Sequence, residues 1–110
     1  MDASPPIAEE AMDLAGTDQK MWVRMLAPAL EPDGRTWACA YTIDAPLSAA
    51  GRGVGETSLL AVVEALRSLS RTLYGSDEYR SKQIGVEGVF GEWLTTPATS
   101  DLLDVAPYPF

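Results

Sequence analysis

Two periodicities divide the chain. Between Lys20 and Leu30, Met21, Val23 and Met25 alternate with Trp22, Arg24 and Leu26, the period of two that marks a β-strand. Pro28 lacks an N–H and limits how far this strand runs inside a sheet. Glu31-Pro32-Asp33-Gly34 then reads as a turn, since proline presets its dihedral and glycine accepts positive φ. From Thr36 to Asp44 the alternation resumes, with Trp37, Cys39, Tyr41 and Ile43 on one face and Ala38, Ala40 and Thr42 on the other. The spacing predicts a β-hairpin. From Glu56 to Tyr74 the period lengthens, and Leu59, Val62, Val63, Leu66, Leu69 and Leu73 make one apolar helical stripe. Gly75 is expected to end this helix in the left-handed conformation. Glu56 at its start and Arg67 and Arg71 in its latter half suit the macrodipole. The helix is expected to pack across the hairpin.

The remaining segments carry weaker patterns. Between Asp2 and Asp18, Ser4 can cap a short helix with Pro5 at its first position, with Ile7, Ala11 and Leu14 on one face and Gly16 at the end. Such a terminal, acidic segment either docks weakly or stays disordered. Gly51-Arg52-Gly53-Val54-Gly55 reads as a flexible glycine loop leading into the long helix. A helical turn is expected within Ser76 to Gln83. Ile84 to Leu94 is expected as a third strand, bulged or at an edge because of Gly85, Gly88 and Gly91. Ser100 can cap a short helix through Asp104, and Ala106 to Phe110, with Pro107 and Pro109, is expected to be an extended tail. The fold class predicted is therefore α+β: an antiparallel sheet of about three strands packed by one long amphipathic helix, with short terminal helices. The organisation expected is an acidic segment over 1–19, one domain over 20–105 and a tail over 106–110.

Charge narrows the partners. Sixteen Asp and Glu face eight Lys and Arg, a net charge of −8. That balance opposes binding to a nucleic-acid backbone, which requires cations to displace counterions, and docking on anionic membranes. No apolar run approaches the roughly 18–20 residues of a membrane span. Met1 to Pro6 shows neither the basic nor the apolar region of a secretory signal, and a lone cysteine forms no intramolecular disulfide, so a cytoplasmic location is expected.

Candidate chemistry is sparse. Histidine is absent, which excludes Ser-His-Asp and Cys-His arrangements and Cys/His metal clusters. Cys39 lies between Trp37 and Tyr41 in strand spacing, so a buried, inert thiol is expected rather than a nucleophile. Glu9-Glu10, Asp77-Glu78 and the pair Asp101 and Asp104 read as solvated surface, since no second carboxylate faces them across a cleft. The glycine segment at 51–55 lacks the Gly-Lys-Ser/Thr ending of a phosphate loop, and Glu56 would repel phosphate. Arg52 remains a candidate contact for an anion or an acidic group of a partner. Neither a cofactor nor catalysis is expected.

Trp22, Trp37 and Trp93 lie in the three expected strands. Trp22 has the opposite parity to Met21, Val23 and Met25, and one of these faces is left without a helix. Aromatics on such a face mark an interface; core packing is the competing reading for Trp93 as well as Trp22.

The strand Trp37-Ala38-Cys39-Ala40-Tyr41-Thr42-Ile43, followed by Gly53-Val54-Gly55 leading into Ser58 to Leu69, resembles a family of short bacterial proteins known only as a domain of unknown function, over about residues 20–97. The resemblance implies no activity, cofactor or catalytic residue. The function expected is a non-catalytic, acidic protein-binding domain of immunity or inhibitor type. Trp22, Trp93 and Arg52 are its candidate contacts, and a basic protein or a second copy in a homodimer is its partner. The alternative is a small-molecule binding domain with a pocket between helix and sheet, lined by Met25, Trp37, Tyr41 and Leu66.

Overall fold

A computed structural model describes residues 6–86 and 89–90. Its order is β1 (Pro6–Leu14), β2 (Lys20–Leu26), β3 (Ala29–Leu30), β4 (Trp37–Ile43), β5 (Ala49–Gly55), α1 (Ser58–Tyr74), α2 (Asp77–Arg80), β6 (Ile84–Val86) and β7 (Val89–Phe90). The α+β class, the antiparallel sheet and the single main helix agree with the sequence pattern. The sheet is wider than about three strands, however, because three segments pair where none or one was expected. β5 lies along β4 at every position from Trp37 to Ile43, so β2 and β3 share the other edge of β4 as one strand broken at Ala27-Pro28. Across the sheet the order is β5, β4, β2 with β3, β1, β6, β7, and every neighbouring pair is antiparallel.

In its described part, from Pro6, the N-terminal segment is a strand and not a helix, while the expected cap Ser4 and Pro5 lie outside the described residues. β1 pairs with β2 from Pro6↔Leu26 to Asp13↔Lys20, joined by a turn in which Gly16 has φ 78°. Helical spacing of Ile7, Ala11 and Leu14 was outweighed by a ready edge: Met12 lands opposite Met21, and both are buried. The glycine segment at 51–55 is likewise strand β5 and not a loop. The third strand is divided in its described part into the short β6 and β7, which pair with each other, while β6 also pairs with β1. Residues 91–94 of that strand, the helix at 100–104 and the tail at 106–110 lie outside the described residues. The helical turn within 76–83 is α2, capped by Ser76.

The turn between β3 and β4 follows its sequence. Gly34 takes φ 72°, and the Asp33 carboxylate accepts from the Arg35 and Thr36 amides at 2.8 and 2.9 Å and from the Thr36 hydroxyl at 2.7 Å. Those donors, the Thr36 amide first, hold the Asp33 carboxyl below its ordinary range.

α1 starts at Thr57, whose hydroxyl accepts from the Leu60 amide at 3.0 Å. It ends at Gly75 with φ −87°, so the expected left-handed cap is not formed. The helix lies on β5 and β4 with much of the expected stripe inward, since Leu69 and Leu73 are buried and Val62 and Leu66 pack against the core, but the buried arc is shifted toward small residues at its N-terminal end. Ala61, Ala65, Leu69, Ser70 and Leu73 are buried, whereas Leu59 is 72% exposed. The cause is close approach. A Cβ at Gly53 would fall on the backbone of Glu64 and Ala65, and one at Gly55 would strike Leu60. A glycine strand against alanines lets helix and sheet backbones meet, and Leu59 at the start of the helix is left outside the contact. Tyr41 crosses beneath Gly51 and its hydroxyl bonds Ser68 at 2.7 Å, tying strand to helix.

Candidate functional site

Cross-strand partners share a face, so the register defines both sides of the sheet. On the helix side stand Met21, Val23, Met25, Cys39, Tyr41 and Ile43, all buried. The opposite face carries Trp22, Arg24 and Leu26 from β2, Ala38, Ala40 and Thr42 from β4, and Ala50, Arg52 and Val54 from β5. Among the described residues no helix packs on it.

Trp22 sits on this open face with 37% of its surface exposed. The Arg24 guanidinium carbon lies 5.3 Å from its ring centroid, within cation–π range. Arg24 is also held by Glu9 at 3.2 Å, from the neighbouring β1 position, and by Asp44 at 3.2 Å. A side chain fixed by two carboxylates and stacked on a ring loses little freedom on meeting a partner. Lys20 pairs with Asp13 nearby, and Arg52 reaches Glu31 at 3.1 Å. Each of these pairs is exposed and worth at most about 1 kcal/mol to stability.

The structure thus brings two of the three sequence candidates onto one face, Trp22 on β2 and Arg52 on β5, with β4 between them. Trp93 lies outside the described residues. Arg24 was not singled out from the sequence, although its signal was present: two residues after Trp22 in a strand, it shares the same face. Val54, 46% exposed, was hidden by the loop reading of its segment. Trp37 has the helix-side parity and packs against the core.

Of the four residues expected to line a pocket between helix and sheet, Met25 and Tyr41 are buried, and Trp37 and Leu66 pack against the same core. Among the described residues, open hollows lie by Asp13, Gly16, Thr17, Lys20 and Phe90 and by Asp33, Arg35, Thr36 and Glu56. Among the described residues no three Cys, Asp or Glu side chains are placed to hold a metal ion. Among them, too, no helix is long and apolar enough to cross a membrane. The Cys39 thiol is fully buried and donates to the Leu26 carbonyl at 3.3 Å; desolvation raises its pKa.

No curated protein and no solved structure matches the chain. A family model described as Domain of unknown function (DUF6968) matches residues 8–98, beginning within β1 and so including the strand on which Glu9 meets Arg24. The chain, matched over most of its length, belongs to this DUF6968 family.

Proposed function

We propose that the protein is a non-catalytic binding domain that engages a protein partner through the open face of its sheet. One observation carries the reading: Trp22 is exposed on the face opposite the helix, with Arg24 stacked against it and anchored by Glu9 and Asp44. Tryptophan and arginine are the side chains most enriched among residues that dominate interface energy. Around them Ala38, Ala40, Thr42 and Ala50 give a low surface on which a partner can lie. The net charge of −8 favours a basic partner by steering its approach, which fits a domain of immunity or inhibitor type.

The test compares affinity-tagged wild-type and Trp22→Ala chains for proteins retained from the native host. A basic protein held by the wild type, released by salt and lost with Trp22→Ala supports the reading. Trp22→Ala should lower stability by no more than about 2 kcal/mol, below the roughly 3–5 kcal/mol of a core aromatic. Retention of the same proteins by Trp22→Ala, or a stability loss in the core range, would overturn it.

A further inference from the structure

We infer that the open face receives a basic, amphipathic α-helix of the partner, seated along β4 between the side chains of β2 and those of β5. The inference rests on the reading that this face is where the protein binds, and adds which element of a partner fits there.

β4 pairs with β2 and β3 along one edge and with β5 along the other. Its backbone N–H and C=O groups are engaged, so no strand can be added to it and a partner must dock on side chains. On the open face those side chains are short: Ala38, Ala40 and Thr42. Trp22, Arg24 and Leu26 rise beside them from β2, and Arg52 and Val54 from β5. The two rows stand two strand spacings apart, about 10 Å, and the length of β4 is about 20 Å. A helix is about 10 Å across and covers that length in about four turns. A flat sheet would rest on Trp22 and Arg52 before its side chains reached the alanines.

The covered face shows a helix seated on this sheet in the same manner. There the small residues belong to β5, and α1 runs along them with Ala61 and Ala65 inward. On the open face alanine and threonine stand where β5 has glycine, which leaves room for a ridge of larger apolar side chains.

Charge decides the sign of that helix. Arg24 meets both Glu9 and Asp44 at 3.2 Å, so this cluster holds one carboxylate more than it has cations. Arg52 is balanced by Glu31. The walls are therefore net negative, in keeping with −8 for the whole chain. Asp44 follows β4 directly, at the end of the lane, and its side chain is 47% exposed. A carboxylate has more acceptor sites than one guanidinium uses, so a lysine flanking the apolar ridge of an incoming helix finds a partner there.

Three synthetic peptides of about 14 residues, long enough to span β4 as a helix, test the inference. The first carries leucine and alanine on one helical face with lysines flanking them; the second has the same composition in scrambled order; the third has glutamate for every lysine. Titrated with the full chain, the first should bind by fluorescence anisotropy, gain helicity by circular dichroism and be released by salt. The other two should bind roughly tenfold more weakly or less. Ala40→Phe, which fills the middle of the lane, and Asp44→Asn, which removes the excess carboxylate, should each weaken the first peptide by roughly tenfold. Ala40→Ser should bind it as the wild type does, and the thermal melts of the variants should match. Failure of the lysine peptide to bind, equal binding of the scrambled peptide, or binding indifferent to both Ala40→Phe and Asp44→Asn would overturn the inference. A host protein lost with Trp22→Ala but kept with Ala40→Phe would also overturn it while leaving the binding reading intact, whereas one kept by both variants marks failure of that reading itself.

Discussion

Gly51, Gly53 and Gly55 show how much one missing methyl group decides. Alternate glycines put three bare positions on one face of β5: Tyr41 fills the space at Gly51, Leu60 the space at Gly55, and at Gly53 the backbone of α1 is itself the nearest neighbour. Gly53→Ala would drive a Cβ into the Glu64–Ala65 backbone, which cannot swing aside as a side chain can. Overpacking of this kind costs about 1–3 kcal/mol, with the upper part of that range expected here. Urea unfolding checks it, and an unchanged midpoint would show that helix and strand do not meet this closely. Read along the chain, repeated glycine means flexibility. The period of two was the available sign that these residues face one way in a strand.

At the scale of elements, α1 separates what periodicity reveals from what packing selects. A three-and-four repeat of Leu and Val announces a helix wherever it ends up. Which arc of that helix meets the sheet depends on the opposing surface, and glycine in β5 favours Ala61 and Ala65 over the larger Leu59. Leu73→Ala, at a fully buried position, should therefore cost about 2–5 kcal/mol. Leu59→Ala, 72% exposed, should change stability by no more than about 0.5 kcal/mol. Equal costs in parallel urea melts would mean that the face is misplaced. β1 teaches the same lesson from the other side: its own spacing suits a helix, yet β2 supplies a long edge with Met21 opposite Met12, and strand pairing prevails over local preference.

The described residues form one sheet with one main helix packed on it, and Cys39 reports on its integrity. It lies on β4, inside the sheet with β5 on one side and β2 with β3 on the other, and has no exposed surface. Burial also raises its thiol pKa, so the reactive thiolate is scarce in the native state near neutral pH. Labelling by a thiol reagent should consequently wait for unfolding of the sheet, and its dependence on urea should match that of global unfolding. Rapid labelling without denaturant would contradict this and return Cys39 to consideration as a nucleophile.

The central strands, the β3–β4 turn, the long helix and the buried placement of Cys39 could be read directly from the chain. Each is signalled by residues close in sequence: alternation, a Pro-Asp-Gly turn, and a repeat of three and four. The same alternation put Trp22 on the face opposite Met21 and Val23, so one half of the candidate surface was legible too. The width of the sheet, the strand nature of residues 6–14 and 49–55, the buried arc of α1 and the meeting of Trp22, Arg24, Glu9 and Asp44 came only with the tertiary structure. These depend on partners far along the chain, whose edges and bare glycine surfaces decide the outcome after local preferences have had their say.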